Sequence, residues 1–329
     1  MQARPPPRFR HSHEPLVGGA STAPTCRLFP VVAHSETRVR EPATRHTVGF
    51  MTAVPNLSLS AGTTSIDIPQ LGFGVWQVPE DEVVAAVSTA IEAGYRSIDT
   101  ARLYGNEQGT GEAIAKSPVP REELFVTTKV WNDDQGFDST LAAFDGSMKR
   151  LGLETLDLFL IHWPAPEQDT YVDTWKALLK LREEGRVRAV GVCNFQVPHL
   201  ERLKAETGEF PAINQVELHP YLQQQELREF HAANGILTEA WSPLASGGDV
   251  LTDETIVRIA EKHGVTPAQA ILRWHLDLGN VVIPKSVTPS RIRENFDVFG
   301  FTLDADDLAA IDKLDRGHRT GPDPDEFSG

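Results

Sequence analysis

Polar residues stand at the C-terminal ends of several successive apolar runs in this sequence. Asp99, Lys129 and His162 each end such a run, and Asn194 and Lys285 end two later ones. A single residue of this kind is usually structural, as a helix cap, a snorkelling lysine or a hydrogen-bonded histidine. Because buried unpaired charge is costly, charge at the ends of successive runs indicates one shared site built from titratable groups.

Other common sites are excluded by their motifs. Cys26 and Cys193 are the only cysteines and lack the spacing of a zinc site, and no group of His or carboxylates has ligand spacing, so no metal is expected. A dinucleotide fingerprint would need a third glycine after Gly72-Phe73-Gly74, but Val75-Trp76-Gln77 follows. The chain also lacks a G-x-x-x-x-G-K-[ST] phosphate loop and a G-x-S-x-G nucleophile elbow.

Composition sets the class of protein. The 329 residues allow one large or two small domains, and 40% hydrophobic content is enough for a full core. With 46 acidic against 31 basic residues the formal charge is −15, which disfavours nucleic acid and anionic membrane surfaces as partners. The absence of a long apolar run and the two cysteines predict a cytoplasmic protein.

The first 50 residues differ from the rest of the chain. They hold seven Arg, no Lys, three Glu and no Asp, and they lack apolar periodicity. A basic arm or an organelle-targeting segment is one interpretation. We favour a disordered N-terminal extension over residues 1–50, since it can bury little, followed by a single domain over residues 51–329.

Alternating apolar and helical patterns predict the fold class. Leu57 to Ile68 alternates around Gly62 and predicts a β-hairpin. Eight apolar runs follow, separated by amphipathic helices such as residues 80–93, with two helices in the last gap. This indicates an α/β protein, a (β/α)8 TIM barrel with an N-terminal β-hairpin, whose site lies at the C-terminal strand ends. The eight runs begin near Leu71, Tyr95, Leu124, Leu156, Val187, Ala212, Ile236 and Val281.

Several motifs, in order from about residue 57 to residue 316, resemble the aldo-keto reductase superfamily, in particular its microbial diketo-gluconate reductase-like branch. The resemblance implies a barrel that binds NADPH and reduces a small-molecule carbonyl substrate to an alcohol, usually as a monomer. The motifs are Gly94-Tyr95-Arg96-Ser97-Ile98-Asp99-Thr100-Ala101, Tyr104-Gly105-Asn106-Glu107, Thr128-Lys129-Val130-Trp131, Leu160-Ile161-His162-Trp163-Pro164 and Ile283-Pro284-Lys285-Ser286-Val287-Thr288.

The resemblance implies four catalytic residues, Asp99, Tyr104, Lys129 and His162. Hydride arriving at a carbonyl carbon places negative charge on the oxygen, and Tyr104 would donate the proton. Lys129 would draw the pKa of the Tyr104 phenol from near 10 towards neutrality, and Asp99 would keep Lys129 charged. His162 would orient the carbonyl oxygen.

The resemblance also implies how the cofactor is held. Cys193, Asn194 and Gln215 would contact the nicotinamide carboxamide, although many relatives have serine in place of the cysteine, and a thiol is a weaker donor. Trp241, a tyrosine in many relatives, would stack on the ring, and the loop from Ser242 and Leu244 would cover the pyrophosphate. Lys285 and Arg291 should favour NADPH over NADH. The remaining cofactor contacts would be Ser286, Val287, Thr288, Glu294 and Asn295.

The substrate would enter through an aromatic mouth. Trp76, Trp131 and Trp163 each stand at a strand end, around the polar His162. Aromatic walls with one polar centre suit a small or medium carbonyl compound. The choice of substrate would depend on the loop over residues 132–138 and on the irregular C-terminal tail, residues 318–329. Two other functions stay open, a barrel aldolase that uses Lys129 for a Schiff base and a non-catalytic NADPH-binding barrel that serves as a sensor or scaffold.

Overall fold

A two-stranded hairpin begins the part of the protein that the computed structural model describes, residues 54–329. Strand β1 (Asn56–Ala61) pairs antiparallel with β2 (Thr64–Pro69), and Gly62 in the connecting turn has φ +74°. That left-handed conformation favours glycine, as the alternating sequence around it predicted. The prediction for residues 1–50 lies outside the described part of the chain.

Eight parallel strands follow and close into a barrel. Neighbours along the chain pair with each other throughout. Closure comes from a parallel bridge between Leu71 and Val282, where the Gly72 N–H donates to the Val282 carbonyl at 2.9 Å. The strands are β3 (Phe73–Gly74), β4 (Ser97–Asp99), β5 (Phe125–Val130), β6 (Leu156–Ile161), β7 (Val187–Cys193), β8 (Ile213–Glu217), β9 (Leu237–Trp241) and β10 (Val281–Val282).

Ten helices occupy the connections and the C-terminal region of the described chain. Gly94 ends the first at φ +115°. The eighth has Thr266 as its N-cap, in a capping box with Gln269, and Pro267 as its first residue. The helices are α1 (Glu80–Ala93), α2 (Glu107–Lys116), α3 (Phe137–Leu151), α4 (Tyr171–Glu183), α5 (Val197–Thr207), α6 (Gln225–Asn234), α7 (Glu254–His263), α8 (Pro267–Asp277), α9 (Pro289–Phe296) and α10 (Ala305–Asp312). The predicted barrel with its hairpin is confirmed, including two helices before the last strand.

The core has two parts, one outside and one inside the barrel. The large outer part lies between strands and helices and includes the fully buried Trp175 and Trp274. The inner part lies at the hairpin end, where Leu59 and Ile68 pack against strand residues such as Leu158. The hairpin therefore seals this end with apolar side chains and leaves the opposite end for polar groups. Within residues 54–329, no helix is both long and apolar enough to cross a membrane.

Two helical glycines provide a matched test of the packing between α2 and α3. A Cβ at Gly111 in α2 would lie 2.2 Å from the Leu151 carbonyl oxygen, whereas a Cβ at Gly146 in α3 would meet only the Arg150 side-chain end at 3.1 Å. We expect Gly111→Ala to lower the free energy of unfolding by about 3 kcal/mol, because backbone cannot yield as a side chain can. Gly146→Ala should raise it by about 0.5–1 kcal/mol through helix propensity. Urea unfolding measures both, and equal effects would contradict the close approach.

Candidate active site

One cleft of about 990 Å³ lies at the C-terminal ends of the strands. The predicted residues that line it come from every strand end and from the loops beyond, so separate stretches of sequence meet at one cavity. Two predicted residues, Lys129 and Cys193, lie outside its lining. The predicted residues in the lining are Trp76, Asp99, Tyr104, Trp131, His162, Trp163, Asn194, Gln215, Trp241, Ser242, Leu244, Lys285, Ser286, Val287, Thr288, Arg291, Glu294 and Asn295.

A buried ammonium lies beneath the floor of the cleft. Lys129, near the C-terminal end of β5, is 0% exposed, and its Nζ donates to Asp99 Oδ1 at 2.6 Å and to the Thr100 carbonyl at 3.0 Å. The third donation goes to the Tyr104 hydroxyl oxygen at 3.3 Å. All three ammonium hydrogens are therefore used, and the one that faces the cleft points at Tyr104.

Opposing effects act on the pKa of Lys129. Burial by itself lowers it, but the Asp99 carboxylate, through its charge and its hydrogen bond, more than reverses this, so the pKa lies above its usual value. Lys129 therefore carries its charge at every physiological pH. A charged, fully buried lysine is a donor and an electrostatic support, and it has no lone pair with which to attack a carbonyl.

The expected direction of the Tyr104 pKa is wrong. The residue is only half-buried as a whole, but its hydroxyl is directed inward to Lys129. Burial raises the pKa of the phenol above its usual value, and the Lys129 charge reduces this rise without reversing it, because the Asp99 charge acts against it. Tyr104 is therefore a protonated phenol, and its hydroxyl hydrogen is available to a ligand in the cleft.

His162 stands across from Tyr104 as a neutral imidazole. Its pKa is lowered well below the usual value by burial and then by the nearby Lys129 charge. Its ring makes edge contacts with Tyr104 and Trp131, with centroids 5.6 and 5.2 Å apart. The buried Nδ1 has no hydrogen-bond partner among the described residues. A neutral imidazole in this position can donate one N–H to a ligand oxygen.

Two side-chain amides lie next to each other in the cleft, one just after β7 and one within β8. Asn194 follows β7 in a left-handed conformation, φ +64°, and its Nδ2 donates to the His162 carbonyl at 3.0 Å while Oδ1 accepts from Trp241 Nε1 at 2.8 Å. Gln215 Nε2 donates to Asp99 Oδ2 at 2.9 Å. Hydrogen bonds to neighbouring residues thus fix the orientation of both amides. Amides held in this way can form hydrogen bonds with a ligand that carries an amide of its own.

Cys193 lies in the barrel interior below the cleft. It is 0% exposed and packs in the inner core with Leu158 and Ala189. Burial raises the pKa of its thiol well above the usual range. Its predicted contact with a ligand amide has no support in this position, because the side chain does not line the cleft.

A cationic region closes the far end of the cleft. Lys285 and Arg291 are both exposed there, after β10 and in α9, and neither makes an ion pair within residues 54–329. The Glu294 carboxylate lies beside them and accepts from the Thr266 hydroxyl at 2.8 Å. Exposed cations without partners at a cleft edge suit a phosphate group.

The C-terminal tail, which the sequence links to the choice of substrate, joins the site through contacts that were not predicted individually. Thr320, Gly321 and Phe327 line the cleft, and the tilted Phe327 ring packs on Trp163 with centroids 4.6 Å apart. The buried Glu217 holds this tail, since it accepts from the Thr320 and Gly321 N–H groups at 2.6 and 3.1 Å. The sequence of the tail has neither the helical nor the strand periodicity from which a contact of this kind could be predicted.

Glu239 is a further buried group that was missed. It is 1% exposed and lies in the middle of β9. An acidic residue inside the short apolar run from Leu237 to Trp241 was the available signal, because such a residue is seldom buried without a partner.

The described residues hold no group of three or more His, Cys, Asp or Glu side chains arranged to bind a metal ion. At the floor of the cleft, Asp99, Lys129 and Tyr104 instead form hydrogen bonds to one another. The cleft therefore combines a neutral phenol above a fixed cation, a neutral imidazole, and a cationic region at its far end. The cationic region can hold an anionic ligand, and the phenol can donate a proton to a second molecule that reacts with this ligand.

Known proteins resemble this chain over most of its length. The model of the aldo/keto reductase family matches residues 58–316. An aldo-keto reductase of Mycolicibacterium smegmatis is 57% identical over 274 residues, 83% of this chain and 98% of the relative. Methylglyoxal reductase DkgA of Escherichia coli is 55% identical over 263 residues, 80% of this chain and 95% of the relative. A solved structure of a Gox0644 mutant in complex with NADPH is 52% identical with a TM-score of 0.79, covering 84% of this chain and 99% of that one.

The Asp99–Lys129 pair predicts a specific pattern of stabilities. Lys129→Met would leave the Asp99 carboxylate, 2% exposed, without its cation, and should lower the free energy of unfolding by about 3–5 kcal/mol. Adding Asp99→Asn should recover part of this loss, because the unpaired buried charge is then removed. Urea unfolding of the three proteins measures the pattern, and a double variant no more stable than Lys129→Met would contradict it.

Proposed function

The chain belongs to the aldo/keto reductase family, and from this premise we propose that it reduces small aldehydes, ketoaldehydes and diketo-sugar acids to alcohols with NADPH. The observation that carries the proposal is the Tyr104 hydroxyl, 3.3 Å from the buried Lys129 ammonium, at the floor of a cleft with a cationic far end. A proton donor and a phosphate-binding region in one cavity suit hydride transfer from a phosphorylated nicotinamide cofactor.

The donor set of the cleft fits such a cofactor. The Gln215 and Asn194 amides would hold the nicotinamide carboxamide, and Trp241 would lie against the ring. The amide nitrogen of Gln215 is used within the protein, so its carbonyl oxygen is the atom left for the cofactor. Lys285 and Arg291 would hold the ribose phosphate by charge-assisted hydrogen bonds. When bound, the cofactor supplies a hydride to the carbonyl carbon.

The protein's own residues then supply the proton. Burial keeps the Tyr104 phenol protonated, so it can donate to the carbonyl oxygen as negative charge develops there. Donation would leave a buried phenolate, which the Lys129 ammonium at 3.3 Å stabilises. Asp99 keeps Lys129 in place and charged, so the three residues act as one unit although only Tyr104 contacts the substrate.

His162 would orient the carbonyl oxygen. Its lowered pKa keeps it neutral, so it can donate one hydrogen bond without adding a second positive charge beside Lys129. Its ring is held by edge contacts with Tyr104 and Trp131. A fixed donor opposite the phenol defines where the oxygen must lie.

Small carbonyl compounds suit the mouth of the cleft. Trp76 packs on Tyr104 with centroids 4.8 Å apart and is 47% exposed, and Phe327 covers Trp163 from the other side. These rings leave a short apolar passage to one polar centre. The similarity to methylglyoxal reductase DkgA supports ketoaldehydes as the first substrates to test.

The burial of Lys129 disfavours the aldolase alternative. A Schiff base needs an accessible neutral amine, whereas this ammonium is 0% exposed and holds three hydrogen bonds. A scaffold without activity would not need a phenol supported by a buried cation. We also propose that the protein acts in the cytoplasm, where its buried free Cys193 stays reduced, and as a monomer.

Tyr104→Phe tests the proton donor. We expect kcat for methylglyoxal to fall by roughly 10²–10⁴-fold, because the hydroxyl that protonates the oxygen is gone. The dissociation constant for NADPH, measured by fluorescence titration, should stay close to the wild-type value. Tyr171→Phe in α4, outside the cleft, is the control and should keep full turnover. Near-normal turnover in Tyr104→Phe would refute the assignment.

Replacing both Lys285 and Arg291 with Ala tests the phosphate site. The ratio of kcat/KM for NADPH to that for NADH should fall by roughly a hundredfold, or about 3 kcal/mol, because two charge-assisted contacts to the extra phosphate are lost. Arg293→Ala is the matched control, since this exposed arginine of α9 does not line the cleft. An unchanged ratio in the double variant would exclude these residues as the source of the preference.

A further inference from the structure

A second carboxylate lies buried at the floor of the cleft and has no part in the proton donation described above. Glu239 on β9 is 1% exposed and stands opposite Gln215 in the pairing of β8 with β9. Its Oε2 accepts from Gln215 Nε2 at 2.9 Å, and Asp99 Oδ2 accepts from the same nitrogen at 2.9 Å. One amide therefore bridges two buried carboxylates.

This bridge fixes the orientation of the Gln215 amide. The amide nitrogen has two hydrogens, and each carboxylate takes one. If the amide turned over, its carbonyl oxygen would lie about 2.9 Å from the charged Asp99 Oδ2, which is strongly repulsive, and the amide hydrogens would lose both of their acceptors. The carbonyl oxygen is thus the polar atom that Gln215 has left for a ligand in the cleft, which this residue lines.

We propose that Glu239 is a positioning residue for the cofactor, which holds the Gln215 amide so that its carbonyl oxygen receives the N–H of the nicotinamide carboxamide. The inference rests on the proposed function, because it needs a nicotinamide cofactor in the cleft. Asp99 alone could hold only one of the two amide hydrogens, and it already accepts from Lys129. Glu239 supplies the second contact and so prevents rotation.

Glu239 also sets the net charge of the floor. The titratable groups that face it are Asp99 from β4, Lys129 from β5 and the Cys193 thiol from β7, while β8 contributes the neutral Gln215 and β10 the apolar Val281. Glu217 lies further out on β8 and is occupied by the tail. Burial, and then the Asp99 charge, raise the pKa of Glu239 to about 8.

The floor is therefore neutral at pH 7, with Asp99 balancing Lys129 and Glu239 protonated, and gains one negative charge above pH 8. The ring of NADP⁺ is positively charged, whereas the ring of NADPH is neutral. An ionised Glu239 should thus favour the oxidised over the reduced cofactor. The pKa values of Tyr104, Lys129 and Cys193 are raised and that of His162 is lowered, so these groups keep one charge state between pH 6.5 and 9.5.

The test is the pH dependence of cofactor binding, measured by quenching of tryptophan fluorescence. The dissociation constants of NADPH and NADP⁺ are determined from pH 6.5 to 9.5, and their ratio is used because it cancels contributions from the shared adenosine half. In the wild type, the ratio of the NADPH constant to the NADP⁺ constant should rise roughly tenfold across this range. In Glu239→Gln, which keeps the acceptor but cannot ionise, the ratio should stay flat.

Two further variants separate positioning from general loss of a carboxylate. Glu239→Leu removes the acceptor, so both nucleotides should bind several-fold more weakly at every pH because the Gln215 amide can turn. Glu107→Gln is the matched control, since Glu107 is 2% exposed but bonds to Thr128 and Arg150, and it should keep the wild-type pH dependence. The Gln variant keeps the inference testable if the Leu variant does not fold.

Thermal unfolding without nucleotide gives an independent reading of the Glu239 charge. A carboxyl with a raised pKa in the folded state stabilises the fold below its unfolded value of about 4.3, and this contribution is lost as the pH rises through 8. The melting temperature of the wild type should therefore fall relative to that of Glu239→Gln as the pH rises.

The positioning role would be overturned if Glu239→Leu folded and bound both nucleotides as tightly as the wild type. The effect of the Glu239 charge would be overturned by a flat wild-type ratio, by a Gln variant that keeps the wild-type pH dependence, or by a parallel pH dependence of the melting temperature in both proteins. These results would leave the proposed function intact, because both nucleotides would still bind. If the wild type bound neither NADPH nor NADP⁺ at any pH, the proposed function and the inference would fail together.

Discussion

The structure of the cleft depends on one buried ion pair, Lys129 with Asp99. Removing two charges from water costs several kcal/mol for each ion, and only close contact with additional hydrogen bonds offsets this cost. Both conditions hold, because Nζ lies 2.6 Å from the carboxylate and also donates to the Thr100 carbonyl and to Tyr104. A hydrophobic pair could fill the space as stably, but it could not stabilise a phenolate above it.

The rest of the barrel keeps this pair in place and dry. In the pairing of β4 with β5, Asp99 lies opposite Thr127, two residues before Lys129, so the Asp99 and Lys129 side chains share the inner face of the barrel. The N-terminal hairpin closes the opposite end with Leu59 and Ile68. In such an interior each charge interacts more strongly than in water. Strand-end residues with left-handed backbone, such as Asn194 at φ +64°, turn the chain sharply so that polar side chains face the cleft.

The sequence predicted the parts of the molecule that follow local rules. Apolar runs with amphipathic helices between them predicted the barrel, and the polar residues at the strand ends predicted Asp99, His162 and Asn194, since all parallel strands end on the same side. The lining residues beyond β10 were predicted from the family resemblance instead. The tail was expected to influence the choice of substrate, but its contacts escaped prediction, because Phe327 and Gly321 lie in an irregular segment that the distant Glu217 holds. The direction of the Tyr104 pKa also escaped, because it depends on the balance between burial and the opposing charges of Lys129 and Asp99.

The most direct test of this account is to locate the hydrogen atoms at the floor by neutron diffraction of the perdeuterated protein at neutral pH. The account predicts one deuterium on the Tyr104 hydroxyl, three on Lys129 Nζ and none on the Asp99 oxygens that accept from Lys129 and Gln215. A Tyr104 phenolate, or a neutral Lys129 beside a protonated Asp99, would contradict it, because the proton donor would then lack either its proton or the cation that stabilises its loss.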